Sequence, residues 1–240
     1  MIFDGKYSVR TTWGPRCEPL EQCAHRARQC LTGLTEIDSV LGNWVESLKP
    51  VKMEKASIYQ RLLAKEKLEN FEKDLGYQLS FWNQKKKLEG EADLRIRCSS
   101  YSPLFVNHCN LSIPGRGEVA KRLIRFDKIT QMLDTLVSAW EPEFGVVTPA
   151  EYLMSEREKQ PRPEVPLPGW IIYLSNARGP IPELPAYFKI IPVGSLGHMI
   201  SATDEPFSHE EPKHIQLAEE LSDHLKRAGL LGPISTIANS

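Results

Sequence analysis

The chain has 240 residues and a mass of 27.2 kDa, with 41% hydrophobic and 25% charged residues. That is ordinary globular composition, which excludes global disorder and lets the chain bury most of its unfolded surface without a disulfide or metal staple. The net charge of -1 speaks against a dedicated nucleic-acid binder, and a mean hydropathy of -0.35 goes with no apolar run near the ~18 residues of a membrane helix.

Residues 6–12 predict a first strand, with Tyr7, Val9 and Thr11 on one face, stopped by Trp13-Gly14-Pro15-Arg16. From Glu18, apolar positions at Leu20, Cys23, Ala24, Ala27, Leu31, Leu34, Ile37 and Leu41 recur in steps of three and four, a long amphipathic helix ended by Gly42-Asn43. A second, more charged helix is predicted over Ser57–Leu75, with Gly76 just past its end. Three alternating strands follow, on Tyr77/Leu79/Phe81, Leu94/Ile96/Cys98 and Cys109/Leu111/Ile113. Alternation of this kind buries one face and wets the other, as in an antiparallel meander. A helix over Arg125–Trp140 is blocked by Pro142.

The second half opens with the apolar run Phe144–Val147, then Thr148-Pro149 as N-cap and first helical residue of a short helix reaching Glu158. Pro161, Pro163, Pro166 and Pro168 make a stiff connector. Strands are predicted over Gly169–Ser175, Tyr187–Pro192 and Leu196–Ala202, and a last helix from Pro212 to Ala228 stops at Gly229. The fold class is α+β: antiparallel sheet with helices packed on one face, arranged as two βαβββα halves of one plan. The chain reads as one domain, 1–240, with sub-halves 1–142 and 143–240.

Charge divides between the halves. Residues 1–140 carry 22 Lys/Arg against 17 Asp/Glu, and residues 141–240 carry 8 against 14. The densest acidic stretch, Asp204 to Asp223, holds seven acids against Lys213 alone, a field able to steer a basic partner or simply a solvated helix face. The five cysteines (17, 23, 30, 98 and 109) include no CxxC pair, and Cys23 and Cys30 fall on one helix face too far apart for a disulfide. Buried free thiols in a reducing compartment are expected.

Enzyme signatures are absent. Gly115-Arg116-Gly117 lacks the third glycine of a dinucleotide fingerprint, Gly194-Ser195-Leu196-Gly197 is no nucleophile elbow, and His209-Glu210-Glu211-Pro212 is no HExxH. The six histidines form no ligand cluster, so neither metal nor cofactor is expected. A thiol dyad of Cys17, Cys98 or Cys109 with His108 or His198 has nothing in the sequence to assemble it. Among the tryptophans, Trp140 and Trp170 read as core. Trp82, beside Asn83-Gln84 and the run Lys85-Lys86-Lys87, reads equally as core rim or binding anchor.

Several blocks occur in a telling order: Thr12-Trp13-Gly14-Pro15-Arg16, Leu75 to Asn83, Leu94 to Tyr101, Ala139 to Thr148, Pro168 to Ser175 and His224 to Leu231. Together they resemble the immunity protein 52 family of bacterial polymorphic toxin systems. The resemblance implies a non-enzymatic protein that binds and neutralises a cognate toxin, a type VI secretion effector with a nuclease domain of the restriction-endonuclease-like class. It implies a cytoplasmic site of action, with which the absence of a signal sequence at Met1-Ile2-Phe3-Asp4-Gly5-Lys6 agrees. A phosphate-binding nuclease surface is basic, so Asp204, Glu205, Glu210 and Glu211 are the expected contacts, with Trp82 as an aromatic anchor. Occlusion of the toxin's nucleic-acid cleft and blockage of its self-assembly both fit. Two rival classes remain: a structural or adaptor module that binds some other protein, and an enzyme acting on the toxin or on its substrate.

Overall fold

The computed structural model describes residues 5–46, 49–52, 54–68, 71–83, 91–102, 105–162 and 164–234. Its strands are β1 (Lys6–Trp13), β2 (Val45–Glu46), β3 (Lys49–Pro50), β4 (Tyr77–Trp82), β5 (Asp93–Cys98), β6 (Asn107–Pro114), β7 (Phe144–Pro149), β8 (Ile171–Ser175), β9 (Lys189–Val193) and β10 (Gly197–Ser201). Its helices are α1 (Leu20–Ile37), α2 (Lys55–Glu66), α3 (Gly117–Leu123), α4 (Phe126–Trp140), α5 (Ala150–Lys159) and α6 (Pro212–Arg227). The class is α+β, as the sequence predicts.

All ten strands join one antiparallel sheet in the order β3-β2-β4-β5-β6-β1-β7-β8-β10-β9. Strand β1 holds its middle, paired with β6 on one side and β7 on the other, so the sheet runs unbroken through both halves of the sequence. The halves pair differently. In the first, the last strand β6 sits against the first, β1; in the second, β7 pairs with the strand that follows it, β8. One half is therefore not a strand-for-strand copy of the other.

Helix α1 buries Cys23, Ala24, Ala27, Leu31 and Leu34 of the predicted stripe, and Cys30 beside them, against the sheet and α4. Gly33 makes that crossing close: a Cβ there would stand 2.8 Å from Thr135 Cγ2 of α4. Helix α4 ends at Trp140 because Glu141 takes a left-handed conformation (φ 47°) and Pro142 cannot continue the turn. Helix α2 stops at Glu66, well short of the predicted Leu75. Leu68 is left 57% exposed, and Phe71 turns back to stack on Tyr77 at 5.5 Å. Gly76 (φ 69°) then lets the chain enter β4 where a Cβ would collide with the Cys98 carbonyl.

The helices lie on both faces of the sheet, which corrects the one-face arrangement read from alternation. Alternation holds in β4, β5 and β6, whose inward residues pack beneath α1 and α4. In β7 and β8 nearly every residue is buried. Their Val147, Ile171 and Tyr173 join the α1/α4 core, whereas Phe144, Val146, Ile172 and Leu174 point the other way and gather Leu221 and Leu225 of α6. A sheet apolar on both sides needs a second layer, and α6 supplies it. At the turn from β7 into α5, Pro149 occupies the cap position, and no side chain caps the helix, so Thr148 is the penultimate strand residue rather than an N-cap.

Candidate partner-binding site

The acidic residues lie on a loop that three buried groups hold in place. Leaving β10, Ala202 N–H donates to the Trp170 carbonyl (2.9 Å), and the Trp170 indole N–H donates to the Thr203 carbonyl (2.7 Å). Next Phe207, fully buried, plugs the gap between Tyr152 and His214, with ring centroids 5.4 and 5.5 Å away. The Tyr7 hydroxyl donates to the Phe207 carbonyl. Then Ser208 N–H donates to His214 Nδ1 (3.0 Å), which leaves the imidazole's proton on Nε2, 3.8 Å from Glu205.

Around this plug the four predicted acids are all exposed, Asp204 and Glu205 before Phe207, Glu210 and Glu211 after it. Asp204 meets Lys189 at 3.4 Å, and Glu211 caps α6 by accepting from Lys213 N–H. Glu210 makes no ion pair among the described residues. Glu219 and Asp223, both exposed, extend the acidic surface along α6. The loop thus presents acids on a backbone that cannot easily rearrange.

Trp82 stands elsewhere. It ends β4, half-buried, opposite Asp93 of β5 and Val45 of β2. Six strand spacings separate β4 from β10, which is about 29 Å along the sheet. The fold does not bring Trp82 and the acidic loop into one compact patch. The run Lys85-Lys86-Lys87 lies outside the described residues.

Trp82 belongs instead to a polar face that the alternating strands leave open. Opposite the α1/α4 side, one row across the sheet reads Ser80, Arg95, Asn110, Arg10, then Val146 and Ile172; the next reads Gln78, Arg97, His108, Thr12, then Phe144 and Leu174. Polarity switches to apolar at β7; Leu153 and Arg157 of α5 with Val165, Pro166 and Leu167 already cover Arg10 and Thr12, and α6 covers β7 and β8 beyond them. Burial, then the charges of Arg10, Arg97 and Arg95, push the His108 imidazole down to about 3. Arg10 is lowered to about 10 by burial and by Arg157. The alternation of Arg95 and Arg97 with core residues was the sequence signal for this face.

The residues that might have made an active site are kept apart. Cys109 faces the core while its neighbour His108 faces the opposite side, as successive strand residues must. The Cys98 thiol is pushed up by its hydrogen bond with Cys23 and by burial, and the Cys109 thiol by burial and by Cys30, whose sulfur is 4.0 Å away. Protonated, buried thiols are poor nucleophiles. Cys17, by contrast, is exposed. Among the described residues no group of three His, Cys, Asp or Glu is placed to hold a metal ion, and no helix is long and apolar enough to cross a membrane.

The ordered sequence blocks meet in space. Trp13 stacks on Trp140 (5.4 Å, 16°), Arg16 donates to the Trp140 carbonyl (2.7 Å), and Gly14 N–H donates to Glu143 (2.8 Å). Asn107 ties the Gly14 and Ser100 carbonyls together at 2.8 and 2.9 Å. Arg178 joins the Leu230 carbonyl (2.8 Å) to Glu143 (3.5 Å), fastening the end of the chain to the middle. The sequence profile of the Immunity protein 52 family (Imm52) matches residues 5–234.

The chain belongs to the immunity protein 52 family. Among solved structures, this immunity protein is similar to the "Pseudomonas aeruginosa T6SS protein PA0821", at 15% identity and a TM-score of 0.54, over 92% of this chain and 76% of that one. That likeness shows a shared fold. No curated protein matches the sequence. The blocks that carry the family pattern are turn and core elements, so the pattern records how the immunity protein folds more than what it touches.

Proposed function

We propose that this immunity protein neutralises a cognate nuclease toxin by binding it, without chemistry of its own, in the cytoplasm where the nuclease would act. The observation that carries the reading is the family match over residues 5–234. The order of the sequence blocks most resembles TsiT, immunity partner of the type VI secretion effector TseT, which favours an effector of that class. The similar T6SS protein is consistent with the same setting.

The contact surface in this reading includes Asp204, Glu205, Glu210 and Glu211. Their exposure on a pinned loop supports it, because a preorganised acidic edge loses little freedom on meeting a basic nuclease surface. Carboxylates laid along a nucleic-acid cleft would exclude phosphate, and the same contacts placed elsewhere would block assembly of the toxin. Either geometry calls for an interface of roughly 1,600 Å² or more.

The test is a titration of the purified protein into a nuclease assay of the toxin domain encoded next door. A binding inhibitor abolishes activity with a sharp break at a fixed molar ratio. Inhibition well below one-to-one would mean turnover, and full activity in large excess would overturn the reading for that toxin.

A further inference from the structure

We propose that the open face of β4, β5 and β6 is a second docking surface, built to receive an acidic patch of the toxin. The inference rests on the partner being a toxin and supplies the chemistry of a surface separate from the acidic loop.

One sheet face carries two surfaces. From β7 to β10 it is apolar and lies under α6; from β4 to β6 it is polar, and Gln78 and Arg95 stand exposed on it. Charge on the open part is one-sided. Among the described residues, Lys6, Arg95 and Arg97 face Asp93 alone, Asp93 already serves both Lys6 (3.1 Å) and Arg95 (3.3 Å), and Arg10 lies buried at the inner border beside Arg157. Neither Arg97 nor Arg10 has a carboxylate partner among the described residues. Arg97 Nε is buried with no hydrogen-bond partner, while its guanidinium rests on the ring of Phe105 at 4.6 Å.

Cations crowded without anions are held at an electrostatic cost, which an incoming carboxylate would offset. The guanidinium fork also matches a carboxylate in shape, and its strand-borne position is fixed in advance. Arginine beside partly exposed aromatics, here Phe105 (38% exposed) and Trp82, is the composition of binding hot spots. Such a face could also attract a single-stranded nucleic acid. That use needs a run of aromatic platforms for successive bases, however; one face of the Phe105 ring is taken by Arg97, and Trp82 lies four residues along β4 from Gln78, the partner of Arg97. A protein carboxylate is the occupant the geometry favours.

The experiment compares the full-length wild type with Arg95→Glu/Arg97→Gln for binding to the toxin domain encoded next door, at low and high salt. With melting temperature and circular dichroism unchanged, the double variant should bind on the order of tenfold more weakly, with a flatter salt dependence. If it does not fold, Arg95→Glu alone replaces it, since that side chain is 63% exposed; its association should slow several-fold at low salt. Equal affinity of a folded variant and the wild type overturns the proposal. So does wild-type binding to a short oligo(dT) that the toxin displaces and the double variant loses, because the face would then read phosphates. Failure of the wild type to bind the toxin at all would instead refute the immunity reading, and this inference with it.

Discussion

Acidification should destabilise this protein through His108. The imidazole projects from β6 opposite Arg97, and burial followed by Arg10, Arg97 and Arg95 takes its pKa from 6.5 to about 3, against a smaller opposing contribution from the Val106 backbone. The folded value lies below the unfolded one, so the unfolded chain takes up the proton first as pH falls. The His108 contribution is fully present above the unfolded pKa and is lost as pH drops through that value toward the folded one. For a single site with these two pKa values, lowering the pH from about 7.5 to about 5 removes ~2 kcal/mol, and the loss approaches ~5 kcal/mol below about pH 3. His108→Gln keeps a polar side chain and abolishes the titration. Urea unfolding of both proteins at both pH values isolates the histidine, because other titrating groups cancel in the comparison. The stability drop of the variant should be smaller than that of the wild type by ~2 kcal/mol. Equal drops would refute the account of His108 as a neutral, arginine-surrounded imidazole.

Three further outcomes are expected. Charge reversal in Glu210→Lys/Glu211→Lys should slow association with the toxin at low salt while the protein still folds, at a cost of about 1 kcal/mol for the lost Glu211 cap of α6; unaltered kinetics would remove both residues from the contact surface. Trp170→Ala should cost about 3–5 kcal/mol in thermal or urea unfolding, since it empties a fully buried site and removes one of the two donors to the Thr203 carbonyl, the Ser201 hydroxyl being the other; a stable, folded variant that no longer binds would show that Trp170 serves binding instead. A thiol reagent applied to the native protein should label Cys17 quickly and the four buried cysteines only on unfolding, as mass spectrometry of peptides would report; early labelling of Cys98 or Cys109 would contradict their burial.

Much of the fold was legible in the sequence because local spacing and burial agree over long stretches. The apolar steps of α1, α4 and α6 each mark one buried stripe, and β4, β5 and β6 show their alternation plainly. Reading failed where spacing was coincidental. Phe71 continues the period of α2, yet it packs on the core from irregular chain after the helix has ended, and Leu75 ends a separate 3-10 turn. The two-residue strands β2 and β3 are too short to show any period, and α3 starts on the second glycine of Gly115-Arg116-Gly117, a pattern that signals a loop. The expected acids are exposed as predicted, but no local signal could tell that Phe207, His214 and Trp170 would pin the loop bearing them.

What the sequence determined by itself was the long helices and strands, though not β2, β3 or α3, together with the α+β class, the burial of Trp140 and Trp170 and membership of the immunity family, because each is written in short-range spacing or in ordered blocks. What only the tertiary structure decided was the order of strands around β1 and the placing of helices on both faces. That order separates Trp82 from the acidic loop and sets Arg95 and Arg97 on an open face, with Arg10 at its buried inner border. The reason is that strand pairing joins residues far apart in sequence, such as Arg10 and Asn110, and a local period carries no record of its partner.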